Sequence, residues 1–129
     1  MFATKKTILG PVPKIPFERI ASAILGEHFE LSLVICGKAL ARKMNKKYRH
    51  TSYAPNVLSF PISKHEGEIF LNVRKAAGEA KQFGMPLKDR LAHLFVHGCF
   101  HLRGLDHGKK MESAEERILE KFGFARPLE

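Results

Sequence analysis

Three histidines, His97, His101 and His107, fall within the segment HGCFHLRGLDH. Neutral imidazole is the commonest protein ligand for metals. With ~3.6 residues per turn, His97 and His101 lie about one turn apart on one face of a helix. Gly104 can end that helix in a left-handed conformation, so the chain can double back and bring His107 toward the same point. Three imidazoles leave one position of a tetrahedral ion open. Catalytic zinc keeps such a position, whereas structural zinc is closed by four protein ligands. An ion held this way lowers the pKa of bound water to about 7 and supports hydrolysis near neutral pH.

The spacing matches the ligand pattern of the long zinc-protease motif, H-E-x-x-H-x-x-G-x-x-H, with Gly98 where that motif carries its glutamate. Without that proton acceptor the usual route of peptide hydrolysis is closed. Cys99, two residues from His97, lies roughly 200° round the helix and faces away as a small buried hydrophobe. Asp106 either accepts a hydrogen bond from a ligand imidazole or caps the turn after Gly104. His93, one turn upstream, supports the site from behind or sits satisfied in the interior. His28, His50 and His65 have no ligand spacing and read as surface or loop residues.

The charge balance points to a polyanion. The chain carries a formal net charge of +9, and Lys38, Arg42, Lys43, Lys46, Lys47 and Arg49 fall in a stretch without an acid. Such a surface suits nucleic acid, with a solvated helix face as the plainer alternative. No apolar run approaches the ~20 residues of a membrane span. The amino-terminal MFATKKTILGPVPKIP lacks the apolar stretch of a secretory signal. Cys36 and Cys99 suggest no disulfide framework, and cytoplasm is the expected compartment.

The elements that must hold the histidines can be read from periodicity. Pro11, Pro13 and Pro16 make an extended approach to a helix carrying Phe17, Ile20, Ala21, Ile24 and Leu25. Glu30 to Ile35 reads as a strand, broken at Gly37. A basic helix with a Leu40, Met44, Tyr48 stripe follows. Asn56 to Phe60 is a strand closed by Pro61, with Ile69 to Val73 as its hairpin partner across SKHEG. The order from Glu30 to Phe60 fits a right-handed crossover. Ala76, Ala77, Ala80 and Phe83 mark a helix ending at Gly84. Pro86 opens the next, which carries Leu87, Leu91, Leu94 and Phe95 into the histidines. Met111, Ala114, Ile118 and Phe122 line the last helix, which stops at Gly123. The expected fold is α+β in one domain over residues 1–129. It has a small mixed sheet of about four strands, about five helices, and a metal site at the end of a central helix.

HGCFHLRGLDH resembles the H-G-x-x-H-L-x-G-Y-D-H signature of the YbeY family of bacterial rRNA maturation endoribonucleases. MNKKYR (Met44 to Arg49) looks like that family's L-N-x-x-Y-R, and PNVLSFP (Pro55 to Pro61) like its T-D/N-V-L-S-F-P. MESAEERIL (Met111 to Leu119) is similar to its closing helix. The resemblance implies that His97, His101 and His107 bind one divalent ion, usually taken as zinc. It implies that Arg49 is the functional arginine, and that the activity is cleavage of single-stranded RNA. Maturation of the 16S rRNA 3′ end, ribosome quality control and a small-subunit partner follow from the same resemblance. Leu105 stands where the family carries tyrosine, and Pro55 where it carries threonine or serine. Phosphoryl transfer needs charge neutralised on phosphate oxygens, which a metal and a guanidinium supply. Ser59 either orients substrate or is paired within the sheet. Lys38 to Lys47 would bind backbone without reading bases. A non-catalytic ribosome-associated RNA-binding factor with a structural metal is the alternative, and a small-substrate metallohydrolase a third.

Overall fold

Buried apolar runs place Glu30–Cys36 and Glu66–Asn72 at the centre of the sheet. The computed structural model describes residues 1–125. In order along the chain are β1 (Phe2–Lys6), α1 (Phe17–Leu25), β2 (Glu30–Cys36), α2 (Lys38–Arg49), β3 (Val57–Ser63), β4 (Glu66–Asn72), α3 (Val73–Phe83), α4 (Leu87–Arg103) and α5 (Lys109–Phe122). The sheet order is β1-β2-β4-β3, with β1, β2 and β4 parallel and β3 antiparallel to β4. This is the α+β mixed sheet with helices that the periodicity predicts.

Four local expectations need correction. β1 was not anticipated: FATKK is exposed except at Phe2, yet its backbone pairs with Leu31 to Ile35 at the sheet edge. The crossover from β2 does not close on Asn56 to Phe60, because β3 runs antiparallel outside β4 and the parallel partner of β2 is β4. The physical reason lies in burial. Ile69 and Phe70 are buried on opposite faces of β4, which demands a central position, whereas Pro61 to Ser63 at the end of β3 are exposed. At an edge a proline removes no needed ladder bond, so β3 continues past Pro61 through an irregularity before Ser63. Val73 belongs to α3, because the Asn72 side chain accepts from the Lys75 amide and starts the helix there.

The main core lies on one sheet face. Leu31, Leu33, Ile35, Ile69 and Leu71 meet Ile20 of α1, Leu91, Phe95 and Cys99 of α4, and Met111 and Leu119 of α5. Phe17 and Phe95 pack edge to face with centroids 4.8 Å apart. On the other face Val34, Cys36, Leu58 and Phe70 lie against Ala41, with Leu40 and Met44 alongside. The inward stripe of α2 is therefore Leu40, Ala41, Met44 and Asn45. Tyr48 is half-exposed, its ring against Phe60. In α3, Ala76 and Ala80 are buried, whereas Ala77 and Phe83 are exposed.

Candidate metal centre and cleft

α4 delivers two of the three histidines because its opposite side is so well packed. Gly98 is where that packing is tightest. A Cβ there would stand 2.9 Å from Ser59 Oγ, 3.2 Å from Ile69 Cδ1 and 3.3 Å from Val57 Cγ2. Ser59 Oγ donates to the Gly98 carbonyl at 3.1 Å, locking helix to strand. The position that carries a glutamate in zinc proteases therefore faces the sheet here. Ser59 pairs through its backbone with Ile69 of β4, and its hydroxyl is engaged by α4 rather than by the sheet.

Gly104 ends α4 at φ 101°, and the Leu105 amide closes the turn on the Phe100 carbonyl at 3.0 Å. The half-buried Leu105 packs against the main core and fixes the turn, so His107 comes back over the helix end. The three imidazole centroids are 4.5, 5.0 and 4.8 Å apart. One nitrogen from each lies within 4.8 Å of the other two, the group among the described residues able to converge on an ion. His97 Nε2 and His101 Nε2 are 3.0 Å apart. An ion holding imidazoles at about 2.0–2.1 Å sets tetrahedral donors roughly 3.3 Å apart, so the donor set fits one. Cys99 is fully buried away from this point and cannot add a ligand.

The carboxylate that orients a ligand imidazole, that of His97, is Glu115 and not Asp106, which is exposed. Glu115 Oε2 lies 2.6 Å from His97 Nδ1. A carboxylate there fixes the proton on Nδ1 and leaves the Nε2 lone pair facing the cluster. Glu115 Oε1 is 3.6 Å from His93 Nε2. Arginine can only donate, so the 3.1 Å contact from Arg90 Nη1 makes His93 Nδ1 the acceptor and puts its proton on Nε2, toward Glu115. Arg90 in turn gives Nε and Nη2 to Glu79 Oε1 at 3.0 and 2.9 Å, and Asn56 donates to both Glu79 oxygens. His93 thus backs the site, as one of its two readings held. Burial opposes ionisation of Glu115, but the nearby imidazoles of His93 and His97, the latter in hydrogen-bond contact, outweigh it and hold the carboxyl down at about 2. Burial, followed by the charges of His97, His107 and Arg49, lowers the His101 pKa and favours the neutral, ligating imidazole.

Glu115→Gln is expected to weaken divalent-ion affinity about 10- to 100-fold while preserving shape, as loss of an orienting carboxylate does elsewhere. Competition with a chromophoric chelator measures it, and unchanged affinity would remove Glu115 from the site. Sequence reading passed over this residue, although Met111, Glu115 and Leu119 form one buried stripe with an acid at its centre. An acid on a buried stripe was the available signal.

The histidines open into a cleft of about 490 Å³, whose walls include Arg49, Tyr53, Asn56, Ser59, Arg90 and His93. Arg49 leaves the end of α2, passes Phe60 with its guanidinium 5.9 Å from the ring, and donates to the Ser59 carbonyl at 2.9 Å. It thereby satisfies a backbone acceptor on β3 and lines the cleft from the end of α2. Of the six cations singled out in sequence, only Arg49 lines this cleft. Lys38, Arg42, Lys43, Lys46 and Lys47 are exposed along α2, on the far side of the sheet from α4. His28, His50 and His65 are exposed away from the cluster, and both thiols are buried and free.

A mixed sheet carrying a histidine tripod at the end of its central helix defines a fold with solved relatives. A solution structure of a Thermotoga maritima protein superposes with a TM-score of 0.68 at 20% identity, covering 95% of this chain and 89% of that one. Residues 14–123 match the family described as Endoribonuclease YbeY. Curated relatives of that name include those of Aromatoleum aromaticum, 38% identical over 84% of this chain and 76% of the relative, and Bordetella petrii, 40% identical over 76% and 70%. The chain belongs to the YbeY family.

Proposed function

We propose that this chain is a metal-dependent endoribonuclease acting on single-stranded RNA, with zinc held by His97, His101 and His107. Its place would be the maturation of 16S rRNA 3′ ends and ribosome quality control in the cytoplasm, with the small ribosomal subunit as partner and residues 1–129 acting as one domain. The observation that carries the reading is that three convergent imidazole nitrogens and Arg49 open into one cleft. A divalent ion, when bound, supplies Lewis-acid charge to a phosphoryl oxygen. Arg49 spends one Nη2 donor on the Ser59 carbonyl, which aims the guanidinium and leaves its other N–H groups for a non-bridging phosphate oxygen. Glu115 keeps His97 in the ligating tautomer without entering the cleft. The exposed cations of α2 lie across the sheet from the cleft and would act only as a long-range attraction for the RNA backbone, so binding should fall with salt. No helix among the described residues is long and apolar enough to cross a membrane.

Arg49→Ala is expected to slow cleavage of a single-stranded RNA about a hundredfold, the usual cost of removing one transition-state donor. Bound metal should not change, and melting temperature should fall only by the loss of the Ser59 hydrogen bond and the Phe60 contact. Arg49→Lys should recover little, because an ammonium cannot hold the Ser59 carbonyl and a phosphate oxygen in one plane. Cleavage at wild-type rate by Arg49→Ala would sink the assignment.

A further inference from the structure

Tyr53 is a large exposed aromatic at the rim of the cleft, 60% accessible to solvent. Exposed rings on flexible loops mean little, but this loop is fastened at four consecutive carbonyls. The Tyr53 carbonyl accepts from Asn45 Nδ2 at 3.0 Å, and that of Ala54 from Lys75 Nζ at 3.1 Å. The Pro55 carbonyl accepts from Asn72 Nδ2 at 3.1 Å, and that of Asn56 from the Asn72 amide at 2.9 Å. Asn45 and Asn72 are both buried, so interior polar groups are committed to holding this segment. Ala54 and Pro55 are buried beneath it. Among the described residues the Tyr53 ring meets no other ring. The Lys75 ammonium stands 5.9 Å from its centroid. Tyr48, the other tyrosine, already packs on Phe60.

We propose that Tyr53 is a stacking platform for one unpaired base of the RNA strand whose phosphate lies at the histidines. This deepens the ribonuclease reading and rests on it. A ring carried on backbone that is fixed before binding spares the loop ordering that a base would otherwise impose on it. Lys75 beside the ring is placed to meet the adjoining phosphate. Bases inside a duplex are already stacked and offer no free face, so the platform favours single strands over duplexes at the same charge. It is a device of strand selectivity, separate from the groups that act on the phosphate.

The test uses metal-loaded protein and a short 2′-O-methyl oligoadenylate. The chain contains no tryptophan, so Tyr53→Trp installs a sole indole reporter. Its fluorescence is expected to quench saturably with the single strand. Inorganic polyphosphate and a duplex of the same sequence should leave it unchanged. In a direct binding assay Tyr53→Phe should match wild type, and Tyr53→Ala should bind about tenfold more weakly with unaltered melting temperature. Equal quenching by polyphosphate, or binding by Tyr53→Ala within twofold of wild type, overturns the platform. The ribonuclease reading fails separately. Base-dependent quenching alongside intact unmodified RNA would retain the platform and remove the nuclease. Cleavage with a KM untouched by Tyr53→Ala would do the reverse.

Discussion

Replacing His101 with alanine is expected to leave a folded protein that neither retains a divalent ion nor cleaves RNA. The side chain is only half-buried and belongs to the open end of α4, outside the apolar cluster around Phe95. Its loss should therefore cost little stability. Two imidazoles remain, and one of them, His107, is exposed on a turn with no hydrogen bond among the described residues to orient it. Electrostatic stabilisation by a metal amounts to several kcal/mol in the transition state, so cleavage should fall at least about 10³-fold. Metal analysis after dialysis and a gel assay on single-stranded RNA read the two effects together. A variant that holds metal normally would show that His101 is not a ligand.

Gly98→Glu is expected to cost the protein a large part of its stability. The substitution restores the residue that zinc proteases carry at this spacing, so it also asks whether protease chemistry was one mutation away. In this chain the position faces the sheet. The Cβ alone would meet Ser59 Oγ at 2.9 Å, between Ile69 and Val57. Overpacking of that kind costs about 1–3 kcal/mol, and an acid pressed into the same interface adds several more unless it is neutralised. A total near ~4 kcal/mol would take much of the ~5–15 kcal/mol that holds an ordinary domain together. Gly98→Ala should lose only the packing part. Combining it with Ser59→Gly, which removes the closest atom, should recover some of that loss in a double-mutant cycle. Urea denaturation checks each variant. A Gly98→Glu protein as stable as wild type would mean that α4 does not approach β3 this closely.

Much of the site could be read directly because its two strongest signals are local. The spacing of His97 and His101 follows from helical period, and Gly104 announces the reversal that brings in His107. Glycine at 98 could be seen to exclude the protease route, but not why: the reason is a sheet contact with Ser59, a residue 39 positions away. Long-range pairing is where sequence reading failed. β1 has no apolar alternation and is defined only by its partner β2. β4 inserts between β2 and β3, which no local pattern of β3 reveals. Glu115 lies on a buried stripe that periodicity could have flagged. Tyr53 carried no such mark, since its importance comes from Asn45, Asn72 and Lys75 closing on its loop.

The central claim is that the histidine cluster loads one ion and that this ion makes the cleft a ribonuclease. It is tested most directly by titrating zinc into chelator-stripped protein while following bound metal and cleavage of a single-stranded RNA in the same samples. Cleavage should rise in proportion to metal bound at the cluster, saturate near one ion per chain, and vanish again with chelator. Full cleavage by the stripped protein, or intact RNA with the site filled, would contradict it.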